Sequence, residues 1–188
     1  MEMHNPMVVK AGRGAAGIAA LVMGAVFGIS TANAAALDTT YKTANPGQVK
    51  KLLGEDSGKV SGKNVVYSGK TVHVVAAMVL PGFPFPSFEV HDKKDPTLVI
   101  PAGATVDFTV INTNKGFSHS FQITTLKPPF PVMPKITPVA GTGFIPQVAG
   151  GTFHYATFTW TPKAGTYHYI CTIPGHAATG MNGEIVVK

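Results

Sequence analysis

The chain has 188 residues, with 15 Lys+Arg against 9 Asp+Glu, a formal charge of +6 and 45% hydrophobic residues. That length supports a single folded domain with one core rather than a multidomain assembly. The basic residues are scattered, with no run of five or more, which argues against a nucleic-acid footprint.

Residues 1–36 are set apart from the rest. Lys10 and Arg13 form a positive n-region, residues 15–29 (AAGIAALVMGAVFGI) an apolar h-region, and A-x-A matches end at Ala34 and Ala36. The pattern predicts a secretory signal peptide over 1–34, cut after Ala34 or Ala36. A spanning helix needs about 20 strongly apolar residues, and the last third of this stretch is small and polar, so no lasting membrane insertion is expected.

Residues 35–69 are expected to form an N-terminal extension packed on a main domain over 70–188. Within the extension, Asn45-Pro46-Gly47-Gln48 reads as a helix start: an Asn cap, Pro at the first helical position and Gln at the third. Val49, Leu52 and Leu53 continue it, and Gly54 is placed to end it. From Asn64 onward the pattern changes to strands and turns. Strands are predicted over 65–67, 70–79, 88–91, 97–100, 105–112, 119–124, 153–160, 165–172 and 184–188. Val106, Phe108 and Val110 alternate on one face of the 105–112 strand. Pro81 to Pro86 forms a rigid connector. Residues 126–151, with six prolines, read as a long irregular insertion against the body. Short strands punctuated by Gly and Pro predict an all-β sandwich.

The chemistry concentrates at the end of the chain. Cys171, His176 and Met181 stand at C-x4-H-x4-M spacing, and Cys171 is the only cysteine. An exported protein meets an oxidising compartment, where a lone cysteine has no internal disulfide partner. Cys171 is therefore either buried and inert or occupied by a metal. With His119 from upstream, the set becomes two imidazoles, one thiolate and a weak thioether, which is the donor set of a blue-copper electron-transfer site. The strand ending at Ile170 delivers Cys171 to one end of the sandwich. Pro174-Gly175 then turns the chain so that His176 and Met181 come back toward it. His73, His91 and His154 lie in predicted strands away from this loop. His168 alternates onto the strand face opposite Cys171.

The strand-Cys, Pro-Gly-His, Gly-Met sequence, together with segments such as 71–77 and 80–92, resembles the cupredoxin family of type 1 copper proteins over about residues 37–188. The resemblance implies a cupredoxin-like Greek-key β-sandwich holding one copper ion that cycles between Cu(I) and Cu(II). It implies His119, Cys171, His176 and Met181 as ligands, with Asn114 and Ser120 as donors to the cysteine sulfur. Ser118, where the family pattern has Gly, and His168, where it has an aromatic residue, depart from that pattern. Within the family the C-x4-H-x4-M loop is characteristic of a branch from acidophilic iron-oxidising bacteria. That implies a monomeric periplasmic carrier in aerobic Fe(II) oxidation, passing electrons to a c-type cytochrome or another periplasmic redox protein. The low acid content fits such a habitat, because few paired carboxylates can be lost on acidification. Phe85, Phe117, Phe121, Ile173 and Pro174 are candidates for an apolar shell around the metal.

Enzymatic readings fit less well. A multicopper oxidase needs further paired histidines, and the chain has no His-x-His. A Cys/His hydrolase would want Cys171 in an electropositive setting such as a helix N-terminus, and a strand running into Pro-Gly is not one. A copper storage or delivery role is the alternative to a redox carrier. It would favour an open site richer in Cys and Met.

Overall fold

A computed structural model describes residues 37–188. The signal peptide expected over 1–34 lies outside the described residues.

Among the described residues, one helix and thirteen strands follow in chain order. They are β1 (Lys42–Ala44), α1 (Pro46–Leu53), β2 (Lys59–Ser61), β3 (Asn64–Val66), β4 (Thr71–Met78), β5 (Glu89–Val90), β6 (Lys93–Lys94) and β7 (Thr97–Ile100). After these come β8 (Thr105–Asn112), β9 (Gln122–Thr124), β10 (Ala140–Gly141), β11 (Phe153–Trp160), β12 (Gly165–Ile170) and β13 (Asn182–Val187). The strands form two sheets, ordered β1-β11-β8-β4-β5-β6 and β10-β9-β12-β13-β7-β3-β2. This is the all-β sandwich expected, and both sheets are mixed. β4 runs parallel to β8, and β7 lies between β13 and β3, parallel to both.

The period-2 patterning explains the sandwich. β7 and β13 alternate half-buried and buried positions along their lengths, and β8 does so as far as Val110. The inward set includes Val106, Phe108, Val110, Leu98, Ile100, Ile185 and Val187, which share one core with Phe88, Phe121 and Tyr169. A stacked pair, Phe121 on Tyr169 with centroids 5.1 Å apart, sits beneath the metal-site end. Burying each large apolar side chain contributes about 1.5–3 kcal/mol.

The helix forms as its caps dictate. The Asn45 side chain accepts from the Gln48 N–H and the Gln48 side chain accepts from the Asn45 N–H, so two orphan donors are satisfied reciprocally. Val49 is buried on its inner face, where it packs with Ala44, Val75 and Ile111. The segment ahead of β4 joins both layers: β1 pairs with β11, and β3 pairs with β7. Asp56 ties it down further. One carboxylate oxygen accepts from the Val75 N–H and the Tyr67 hydroxyl, and the other from the Gly58 N–H while facing His91 Nε2 at 2.7 Å.

The sequence places a strand over 119–124, but regular pairing begins only at Gln122. Ahead of it, His119 makes a lone antiparallel bridge with Ile145. The irregular insertion also supplies β10, which pairs with β9.

Candidate metal centre

Three potential ligands converge at one end of the sandwich. Cys171 Sγ lies 3.7 Å from His119 Nδ1 and 3.6 Å from His176 Nδ1. All three donor atoms lie within 4.8 Å of one another, and all three residues are buried. Bonds of about 2.3 Å to sulfur and about 2.0 Å to nitrogen put the S···N edge of a three- or four-coordinate site at about 3.5–3.8 Å. The two observed edges fit that size.

The loop after β12 is built to return on itself. Its backbone bonds run His176 N–H to Ile173 O, Thr179 N–H to Gly175 O, Met181 N–H to His176 O and Cys171 N–H to Met181 O. Gly175 and Gly180 take φ of 85° and 117°, which a side chain would oppose. Asn182 Nδ2 donates to Ala177 O and ties the loop's end to its middle. Met181 is thus brought beside Cys171 through the backbone, and both side chains lie fully buried in the same core cluster.

His119 is positioned by a different device. Its N–H and C=O both bond to Ile145. Buried Asn112, at the end of β8, donates to Ile145 O and Phe117 O and accepts from the Asn114 N–H. It therefore fixes both the loop ahead of His119 and the segment that His119 bridges. Sequence reasoning took Asn112 only as the last residue of a strand. The available signal was the change from an apolar strand to Asn112-Thr113-Asn114 just before a candidate ligand.

Ser120 stitches the two ligand-bearing segments together. Its Oγ accepts from the Thr172 N–H at 3.0 Å and meets the Thr172 hydroxyl at 2.9 Å. Burial pushes the Cys171 thiol pKa up, and hydrogen bonds from the Ser120 and Ile173 N–H groups and the Ser120 hydroxyl oppose that rise. Asn114 acts on the loop backbone, with Oδ1 accepting from the Gly116 and Phe117 N–H groups.

The electrostatics favour neutral, ligand-ready imidazoles. Burial, with the nearby His176 adding to it, lowers the His119 pKa to about 4. Burial lowers that of His176 too. His119 Nε2, which carries the ring N–H when Nδ1 is the donor atom, is buried without a partner.

Phe85 and Phe117 stack on each other and both pack against the His176 ring, at centroid distances of 5.3 and 5.8 Å. Phe85 also reaches the His119 ring at 6.1 Å. Ile173 packs on the cluster containing Cys171 and Met181, Pro174 is exposed, and Phe121 belongs to the aromatic core below. Of the remaining histidines, His73 is exposed, His91 faces Asp56, and His154 Nδ1 meets the Gln147 carbonyl. His168 turns to the other side of β12, edge-on to Phe130 at 5.9 Å.

A sequence profile described as copper binding proteins of the plastocyanin/azurin family matches residues 92–188. The chain is 68% identical to rusticyanin of Acidithiobacillus ferrooxidans over 171 residues, covering 90% of this chain and 91% of that protein. The chain belongs to the plastocyanin/azurin family of copper-binding proteins. It is 67% identical to rusticyanin of Acidithiobacillus ferridurans over the same length. A crystallographic rusticyanin from Thiobacillus ferrooxidans superposes with a TM-score of 0.80 at 69% identity, covering 81% of this chain and 100% of that one. Reduced rusticyanin matches with a TM-score of 0.78 at 71% identity, covering 79% and 100%. The fold is therefore the cupredoxin sandwich, the cofactor is a single copper ion, and the protein is a copper electron carrier that works with redox partners.

Proposed function

We propose that this chain is an exported, monomeric carrier of the periplasm, that His119, Cys171, His176 and Met181 hold its copper, and that it passes electrons to a c-type cytochrome during Fe(II) oxidation. The convergence of two buried imidazole nitrogens on one buried thiol carries the ligand assignment. When bound, copper supplies a one-electron couple, and a His2Cys set with a weak Met suits both of its oxidation states. The protein's own part is to keep the donors fixed. Two separate hydrogen-bonded devices, the Asn112–Ile145 brace and the 171–181 loop, hold the ligands in place before the metal arrives.

The carrier reading, rather than an enzymatic one, rests on access. His119 and Cys171 are fully buried, and only the edge of His176 nears the surface. That leaves electrons a short way in and bulky substrates none. Around that edge the surface is apolar. Phe85 and Phe117 are 49% and 51% exposed, and Val132 and Met133 are 62% and 70% exposed. The Gly175 N–H to Val132 O bond brings the insertion against the His176 loop. An apolar patch of this kind suits a brief, flat encounter with another redox protein. Export follows from the signal pattern in 1–34. Relatives called rusticyanin come from Acidithiobacillus, which supports the iron-oxidation setting.

The test is stopped-flow electron transfer to a c-type cytochrome, with Ala178→Glu alongside. Ala178 is exposed on the ligand loop, so the charge should slow transfer and leave the visible spectrum unchanged. An unchanged rate would count against the docking patch. A copper centre that releases its metal instead of cycling reversibly would favour storage or delivery.

A further inference from the structure

The segment 80–88 carries Phe85 over the two histidines, and one buried acid holds both of its ends. Glu89 is 1% exposed and Ser87 is not exposed at all. Glu89 Oε2 accepts from the Leu80 N–H at 2.8 Å. Its Oε1 meets the Ser87 hydroxyl, and the same hydroxyl oxygen lies 2.6 Å from the Pro84 carbonyl. That carbonyl belongs to the peptide joining Pro84 to Phe85.

The hydrogens in this chain can be counted. A serine hydroxyl has one proton to donate and two lone pairs to accept with. If Glu89 were ionised, Oε1 and the Pro84 carbonyl would compete for that single proton. The loser would face the serine oxygen lone pair to lone pair in a buried site, which costs about 1–3 kcal/mol or more. If Glu89 is a neutral acid, every group is satisfied. Leu80 donates to Oε2, the acid O–H on Oε1 donates to Ser87, and Ser87 donates to Pro84.

We infer that Glu89 is a positioning residue for the copper site, carried as a neutral carboxylic acid whose proton, relayed through Ser87, fixes the Pro84–Phe85 peptide and with it the Phe85 ring against His119 and His176. Ionisation of Glu89 breaks the relay and frees the ring. The placement of that ring over a metal site rests on the function proposed above, but the relay itself does not.

The surroundings favour the neutral form. Burial pushes the Glu89 pKa up to about 7, against the opposing hydrogen bonds of Ser87 and Leu80. Asp95 nearby raises it further, and Lys94, which faces Glu89 across β5 and β6, lowers it. The Tyr169 hydroxyl also lies within range and is itself pushed up by burial, so it stays neutral and donates to the Pro96 carbonyl. From β4, the residue opposite is Ala77, which carries no charge.

The test is a pH titration of the Glu89 side-chain carboxyl by carbon-13 NMR in the full Cu(I) protein and in the metal-free protein, following the Phe85 ring signals in the same samples. The carboxyl should remain protonated through the range where an ordinary glutamate ionises, and the Phe85 signals should shift with the same midpoint. In Glu89→Gln, whose amide still donates to Ser87, the Phe85 shift should disappear. In Ser87→Ala the carboxyl should still titrate while Phe85 no longer follows it. A Glu89 midpoint at or below the ordinary value of about 4.3, or Phe85 signals that stay flat while the carboxyl titrates, overturns the inference. Because the metal-free protein gives the same readings, failure of the copper assignment would not be mistaken for failure of the relay.

Discussion

His119 shows in one side chain how a fold prepares a residue for the ligand role proposed for it. A metal-binding imidazole must present a neutral nitrogen, so any proton there competes with the ion. Burial drives the His119 pKa to about 4 and lowers that of His176. The His119 ring is therefore already neutral at mildly acid pH, where a free histidine with a pKa of about 6.5 is mostly charged, and burial shifts His176 in the same direction. Cys171 behaves oppositely. Its pKa is raised by burial, so the thiol keeps its proton until metal displaces it. Copper loading at pH 5.5 should then release no proton from His119, so that fewer are freed per ion than the three expected of a thiol and two charged imidazoles. Calorimetry in buffers of different ionisation enthalpy counts these protons. Release of close to three would mean that His119 is not held neutral. The sequence pairs Ser120 and Asn114 as donors to the sulfur. In the structure Ser120 joins the 119–120 and 171–172 segments while its N–H and hydroxyl act on the Cys171 thiol, and Asn114 Oδ1 accepts from the turn before His119.

At the scale of elements, the final strand depends on a missing side chain. Gly183 in β13 lies opposite Tyr169, and a Cβ there would run into the Tyr169 hydroxyl and the ring carbons beside it. Tyr169 is fully buried between Phe121 and Phe88 and bonds Pro96 through its hydroxyl, so it has nowhere to move. Gly183→Ala should therefore destabilise the protein by about 1–3 kcal/mol, as overpacked cores do. Thermal unfolding measures it, and an unchanged midpoint would show that the ring can shift. Elements that carry their own signal were legible in sequence. The capped helix, the alternating β8 and the strand into Cys171 stand close to where their patterns place them. The two- and three-residue strands β1, β2, β6 and β10 were not legible. β2 is exposed at all three positions and β6 at both, so neither has a pattern to read, and they exist because a neighbour offers its edge. The Ile145 bridge escaped for a related reason. It joins residues 26 positions apart in sequence across a proline-rich stretch, and no local periodicity encodes such a pairing. The candidate ligands of the loop were readable because one short segment supplies three of them, whereas the brace behind His119 is a product of tertiary packing.

Taken whole, the molecule separates holding the site from exposing it. Two sheets with an aromatic core support one end, where Asn112, Ile145 and the 171–181 loop fix the candidate donors and Phe85 and Phe117 flank the His176 ring. Among the described residues no helix is long and apolar enough to cross a membrane. The central claim is that Cys171, with His119 and His176, binds copper as a thiolate. Its most direct test is Cu(II) titration of the purified protein over residues 35–188, read by visible absorption and EPR, with Cys171→Ser in parallel. The account predicts an intense blue sulfur-to-copper band at one ion per chain with narrow copper hyperfine splitting, both lost in the serine variant. A band absent from the unsubstituted protein, or one that survives loss of Cys171, would contradict it.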